Sequence, residues 1–138
     1  MLNIKPQRMF NNYDFSGKKI LIAEDERTNY LFLEALLKRT NAILIWAETC
    51  KTALEAVQKD SAIDLVLMDI KMPEMNGYEA THEIKKIRPQ LPIIAQTAYA
   101  LAGEKEKILS AGCDDYLSKP IMGKVLLEKI DVYLNKKL

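Results

Sequence analysis

Five short apolar runs alternate along this chain with five longer stretches of helical period. The runs are Lys19-Ile20-Leu21-Ile22-Ala23, Ala42 to Ala47, Leu65-Val66-Leu67-Met68-Asp69, Ile93-Ile94-Ala95-Gln96 and Tyr116-Leu117-Ser118. They do not alternate polar with apolar, which is the mark of strands buried on both faces of a parallel sheet. Between them, Asn29 to Arg39 places Tyr30, Leu33, Leu36 and Leu37 on one helical stripe. Cys50 to Lys59 repeats the pattern with Ala53, Leu54 and Val57, and Thr49 is a ready N-cap. Tyr78 to Lys86 carries Ala80, Ile84 and Ile87 near helical spacing and is stopped by Pro89 and Pro92. Leu101 to Ala111 is a polar, Lys/Glu-rich helix ended by Gly112. Met122 to Leu134 is the last, with Val125, Leu126, Ile130 and Tyr133 turned inward.

Strand and helix alternating five times predicts an α/β fold, a doubly wound parallel sheet covered on both faces, hence three layers. Crossovers between parallel strands are right-handed, which leaves few topologies. The order 2-1-3-4-5 is one of the two common solutions, and it puts the ends of the first and third strands at the switch point where such folds bind ligands. Glu24-Asp25 ends the first strand and Asp69 ends the third. Pro73 and Gly77 mark the loop after Asp69. Asp69 has a plainer use as a loop cap.

With 138 residues the chain makes one domain, read as 18–136, and residues 1–17 read as a tail or linker without the apolar run of a signal peptide. A net charge of +1 offers no basic surplus, so direct nucleic-acid binding is not expected. No stretch approaches the length of a membrane span, and no membrane contact is expected of this segment. Cys50 and Cys113 stand far apart, which fits a reducing, cytoplasmic setting rather than a disulfide framework or a metal site.

Chemistry therefore rests on the strand ends. Three carboxylates within about 4 Å repel by roughly 4 kcal/mol per pair at an effective dielectric near 20 and need a counter-charge. Lys119, ending the fifth strand, supplies one, and a hard divalent cation such as Mg²⁺ is the natural complement. Thr97, ending the fourth strand, adds a hydroxyl. Carboxylate, cation, lysine and hydroxyl together suit a phosphoryl group, with Asp69 able to act as a nucleophile. Taken singly, Lys119 reads as a surface lysine and Thr97 as a strand-end cap; the coincidence on four strand ends carries the inference.

These residues resemble the receiver domain of two-component response regulators. The likeness rests on Ile20-Leu21-Ile22-Ala23-Glu24-Asp25-Glu26, Leu67-Met68-Asp69-Ile70-Lys71-Met72-Pro73-Glu74-Met75-Asn76-Gly77, Thr97-Ala98 and Lys119-Pro120, and it spans roughly Gly17 to Lys136. It implies the flavodoxin-like (βα)5 sandwich. It implies a phosphorylation switch in which Asp69 accepts a phosphoryl group from a phosphohistidine of a histidine kinase or histidine phosphotransfer domain. Asp25 and Asp69 would bind Mg²⁺ directly, Lys71 through its carbonyl and Glu24 through water. Lys119 would pair with the phosphoryl group, Thr97 would hydrogen-bond it, and Tyr116 would be the switch aromatic that moves with Thr97. The Lys119-Pro120 bond would be cis. Such a domain catalyses only its own phosphorylation and dephosphorylation, and is not otherwise an enzyme. Asp14 to Lys19 and Thr97 to Ala100 resemble receivers at the end of hybrid sensor kinases, so of a single-domain regulator and a receiver from a longer kinase the likeness favours the second, cytoplasmic in either case and then the cytoplasmic part of a membrane-anchored kinase. The surface of helix four, strand five and helix five would report phosphorylation and is one route to a homodimer.

The chain departs from the family's pattern at Glu24, where Asp is commoner, and at Asn76. Lys71 and Tyr99, two residues after Asp69 and Thr97, are expected to screen the phosphoryl group from water. Three other readings compete. A Mg²⁺-dependent phosphatase with an Asp nucleophile needs a second Asp where Lys71 stands. A flavin mononucleotide module needs a Gly- and hydroxyl-rich loop where Glu24-Asp25-Glu26 stands. A pseudo-receiver would keep the shape as a protein-binding module without phosphorylation. His82 reads as a helix-surface residue, Cys113 as turn packing, and Glu104 to Lys107 as a solvated face.

Overall fold

The structure is a computed structural model that describes residues 13–72, 75–98 and 102–135. Five strands, β1 (Lys19–Ala23), β2 (Ile43–Ala47), β3 (Leu65–Asp69), β4 (Ile93–Thr97) and β5 (Asp115–Ser118), alternate with α1 (Arg27–Lys38), α2 (Cys50–Lys59), α3 (Gly77–Ile87), α4 (Ala102–Ser110) and α5 (Gly123–Leu134). The sheet is parallel throughout, in the expected order β2-β1-β3-β4-β5. The side chains of β3 and β4 are buried along their whole length, which is why those runs show no polar alternation. Edge strand β2 leaves Ile43 half exposed.

Strand parity divides the core in two. Leu21, Ala23, Val66, Met68, Ile93 and Ala95 pack on one face with Ala53 and Val57 of α2, Ala80 and Ile84 of α3, and Ile108 of α4. Ile20, Ile22, Leu65, Leu67, Ile94 and Leu117 pack on the other with Tyr30, Leu33 and Leu37 of α1 and Leu126, Leu127 and Ile130 of α5. Each fully buried Leu or Ile contributes about 2 kcal/mol of hydrophobic free energy.

Local chemistry sets the element ends. Thr49 caps α2 as expected, in a reciprocal box with Thr52. Asn76 caps α3 in the same way with Glu79. Gly112 stops the chain after α4 with φ +111°, a conformation that favours glycine.

Four details differ from the sequence reading. Val125 is exposed and Leu127 is buried instead, because the stripe of α5 runs Leu126, Leu127, Ile130, Leu134 and Val125 falls beside it. Ile87, at the last position of α3, is exposed. Phe15, left in the tail by its lack of periodic neighbours, is fully buried with the α1/α5 layer, and its N–H donates to the Thr40 carbonyl at 2.7 Å. Tyr13 and Phe15 thus pack on the domain core, while Asp14, Ser16 and Gly17 stay exposed. The first residues of α1, Arg27 and Thr28, are exposed, so no apolar period marked them.

Candidate functional site

The pairing register builds the site. Ala23 lies opposite Met68, so Glu24 continues past β1 beside Asp69. Asp69 lies opposite Gln96, and Thr97 opposite Ser118, which puts Lys119 one residue further on the same edge. Carboxylate oxygens of Glu24, Asp25 and Asp69 all fall within 4.8 Å of one another. Glu24 and Asp69 are buried, while Asp25 is exposed. A cavity of about 290 Å³ is lined by Asp25 and Asp69 with Lys71, Gln96 and Lys119.

Lys119 brings its ammonium to this acid cluster. Lys119 Nζ donates to Asp69 Oδ2 at 3.0 Å and stands 3.9 Å from Glu24 Oε1. Burial disfavours its charge, but the hydrogen bond and charge of Asp69, helped by Glu24 and Glu26, outweigh this and hold its pKa above the ordinary lysine value. The other Asp69 oxygen, Oδ1, accepts the Lys71 N–H at 3.0 Å. Glu24 Oε2 accepts the Glu26 N–H at 3.2 Å, whereas Glu24 Oε1 is buried with no hydrogen-bond donor among the described residues. Burial first, and the Asp69 charge second, push the Glu24 carboxyl up to about 7, against the pull of the Glu26 N–H and Lys119. Two carboxylates 4.8 Å apart repel by roughly 3 kcal/mol at an effective dielectric of 20. A set of hard oxygen donors, one of them buried without a donor, fits a divalent cation of the Mg²⁺ type.

The backbone of Asp69 is fixed from the α3 side. Gly77 donates its N–H to the Ile70 carbonyl at 2.9 Å, and a Cβ there would stand 2.7 Å from the Asp69 carbonyl oxygen and the Ile70 Cα. Only glycine allows this approach, which explains the glycine closing the loop after Asp69.

Parity sends Thr97 to the opposite face of the sheet from Lys119. Its Oγ1 donates to Glu104 Oε1 of α4 at 3.5 Å, and its carbonyl accepts the Lys119 N–H at 2.7 Å. The Tyr116 ring is half-buried, with the Lys105 and Lys129 ammonium groups each 5.8 Å from its centroid. The Lys119-Pro120 bond is cis. Tyr99 lies outside the described residues. Glu24, Asp25, Asp69, Lys71 and Lys119 are thus brought together, Thr97 stands at the rim, and Tyr116 lies away on β5.

His82 is exposed on α3. Burial pushes both thiols up, Cys50 to about 11 and Cys113 to about 11, so neither is a reactive thiolate. Two neighbours of the site escaped the sequence reading. Gln96, the polar residue that breaks off the Ile93 run, is buried with its Nε2 unpartnered among the described residues. Trp46 donates its indole N–H to the Glu24 carbonyl at 2.8 Å. The first had a signal in the interrupted run; the second had none.

Comparisons agree with this geometry. Residues 20–131 match the response regulator receiver domain model. The chain is 40% identical over 127 residues to hybrid signal transduction histidine kinase I of Dictyostelium discoideum, covering 86% of this chain and 7% of that protein. It is 39% identical over 117 residues to the sensor protein GacS of Pseudomonas syringae pv. syringae, covering 81% and 13%. The chain therefore spans a small part of the curated relatives it matches. Among solved structures, the receiver domain of sensor histidine kinase PA1611 from Pseudomonas aeruginosa PAO1, which has magnesium in its active-site cleft, superposes with a TM-score of 0.81 at 32% identity, covering 88% of this chain and all of that one. The receiver domain of Saccharomyces cerevisiae Ssk1, solved with the histidine phosphotransfer protein Ypd1, gives 0.82 at 27% identity over 88% and 91%. With that family's model matched across nearly the whole sheet and its strand order reproduced, this chain belongs to the response regulator receiver domain family.

Proposed function

We propose that this domain is a phosphorylation switch in which Asp69 takes a phosphoryl group from a phosphohistidine. The carrying observation is the acid cluster itself: two buried carboxylates, one with an oxygen that has no donor among the described residues, facing the Lys119 ammonium at the carboxyl edge of the sheet. A merely structural carboxylate pair would be satisfied where it stands. In the transfer an Asp69 oxygen attacks phosphorus, the P–O bond forms, the P–N bond breaks, and the freed imidazole takes a proton from solvent. Lys119 holds Asp69 through Oδ2 and is placed to neutralise the incoming phosphoryl oxygens. The Lys71 N–H holds Oδ1. Thr97 would exchange Glu104 for a phosphoryl oxygen, and Tyr116 would follow as the switch aromatic. Glu24, Asp25, Asp69 and the Lys71 carbonyl would hold Mg²⁺, which when bound offsets the charge collected on the phosphoryl oxygens.

The donor is a histidine kinase or a histidine phosphotransfer domain, in keeping with the Ssk1 receiver solved with Ypd1. An apolar groove of about 320 Å³ beside the site, lined by Phe32 and Leu33 of α1 with Pro120 and Ile121, is the surface for that partner, and Phe32 is exposed in it. Exposed Leu109, Met122 and Val125 on the α4–β5–α5 side supply the output surface or a homodimer contact. The domain turns over no separate metabolite. Its relatives point to a hybrid kinase, whose receiver would work in the cytoplasm; no helix among the described residues is long and apolar enough to cross a membrane.

Intact mass after incubation with Mg²⁺ and phosphoramidate, beside Asp69→Asn, tests the reading. A Mg²⁺-dependent gain of one phosphoryl group, absent from the variant, supports it. No gain under conditions that label a control receiver overturns it in favour of a pseudo-receiver.

A further inference from the structure

Strand β2 reaches the site through one side chain. Glu24 is the first residue beyond β1, and both polar groups of its backbone are bound by the end of β2. Its N–H donates to the Ala47 carbonyl at 3.0 Å, and its carbonyl accepts the Trp46 indole N–H at 2.8 Å. The indole is itself held flat: the Tyr30 ring stacks on it with centroids 4.3 Å apart and planes 5° apart. Tyr30 belongs to the first turn of α1, and its N–H donates to the Glu26 carbonyl at 3.0 Å. The Glu24 end of the Glu24-Asp25-Glu26 turn is therefore held by the Trp46 indole, which the Tyr30 ring keeps in place, and the Glu26 end by the first backbone hydrogen bond of α1. α1 has no side-chain N-cap at Glu26 to do this.

We propose that Trp46 is a positioning residue for the cation: its indole N–H fixes the backbone from which the Glu24 and Asp25 carboxylates project. The inference rests on the cation-dependent reading of the site given above. Without the indole donor the Glu24 carbonyl loses its partner, the turn gains freedom, and the two carboxylates must be ordered again at each binding event. Global stability alone does not predict this outcome, because a folded chain with a looser turn still phosphorylates fully when Mg²⁺ saturates.

The chain holds a single tryptophan, so growth of a tryptophan auxotroph on benzothienylalanine replaces Trp46 alone, keeping ring shape and stacking and deleting the N–H. Magnesium binding by calorimetry and the rate of phosphoramidate labelling across a Mg²⁺ series are read for the native chain, the benzothienyl chain and Lys85→Ala. The last removes an ion pair to Asp114 at the amino edge of the sheet, away from the β1–α1 turn, and so lowers stability only. The expected result is Mg²⁺ affinity about three- to tenfold weaker in the benzothienyl chain, the span covered by the net worth of one hydrogen bond. The labelling rate at saturating Mg²⁺ should stay within about twofold of native, since the reacting groups are untouched. Lys85→Ala should bind Mg²⁺ as the native chain does. Unchanged affinity in the benzothienyl chain, or an equal loss in Lys85→Ala, overturns the role of Trp46 while leaving the phosphorylation reading intact. A native chain that binds no Mg²⁺ overturns both.

Discussion

The two edges of the sheet use the same ingredients to opposite ends. At the amino edge, Asp114 Oδ2 accepts the Ile93 N–H at 2.9 Å and the Lys85 ammonium at 2.8 Å, and Lys85 also donates to the Leu91 carbonyl at 2.8 Å. Asp64 does likewise at the head of β1, accepting the Lys19 N–H at 2.8 Å, while the Lys19 ammonium meets Asp60 at 2.8 Å. Asp64 and Asp114 each lead a strand, Asp60 ends α2, and all three have a donor. At the carboxyl edge three carboxylates gather beside Lys119, and a buried oxygen of Glu24 lacks a donor among the described residues. Paired charges hold the strands in register; the unbalanced cluster is what a cation and a phosphoryl group would complete. The difference lies in the count of donors, since Asp and Lys supply both edges.

The sharpest way to break this contrast is to remove a group from each edge. Asp69→Asn should abolish phosphoryl incorporation altogether, and Lys119→Ala should slow it by about 10²-fold, the usual cost of deleting a preorganised charge partner. Lys85→Ala should leave the labelling rate unchanged and cost about 1 kcal/mol in urea unfolding, since its ion pair is partly exposed. Equal effects of Lys119→Ala and Lys85→Ala on labelling would erase the distinction between the edges.

pH sharpens it next. The Glu24 carboxyl is raised from 4.5 to about 7 in the folded protein, so between those values the folded state binds more protons than the unfolded one. Stability of the metal-free protein should therefore be fullest below pH 4.5 as far as Glu24 is concerned, and fall as pH rises to 7, by up to about 3 kcal/mol. Glu24→Gln should flatten that fall in unfolding measurements at pH 5 and pH 8. Excess Mg²⁺ should stabilise the native chain more at pH 8 than at pH 5, since it takes the ionised carboxylates. A native slope unchanged in Glu24→Gln would remove Glu24 as its source.

Smaller effects separate partner from chemistry. Phe32→Ala should weaken phosphotransfer from a phosphohistidine protein about tenfold, as loss of one apolar anchor does, while labelling by phosphoramidate stays native. A Lys71→Ala, Tyr99→Ala double variant should shed its phosphoryl group about threefold faster if these side chains screen it from water. An unchanged dephosphorylation rate would sink that screening role.

Much of this was legible in the chain. The five apolar runs named the strands because β3 and β4 are buried on both faces, and the strand ends named Glu24, Asp25, Asp69, Thr97 and Lys119 because parallel strands deliver their last residues to one edge. Phe15 was not legible, since a lone aromatic in a polar stretch has no period to betray its burial. Nor was the exposure of Val125, which depends on how α5 is rotated against the sheet.

Composition and periodicity by themselves determined the α/β class, the number of elements and the acids that end them, because backbone hydrogen bonding and burial act on neighbours along the chain. Tertiary structure alone decided the donor count at each edge. The Trp46 indole meets Glu24 only because β1 and β2 pair in one register, and Lys119 meets Asp69 only because β3, β4 and β5 do. Those partners are 22 and 50 residues apart in sequence, and no local pattern encodes a contact whose distance is set by the sheet.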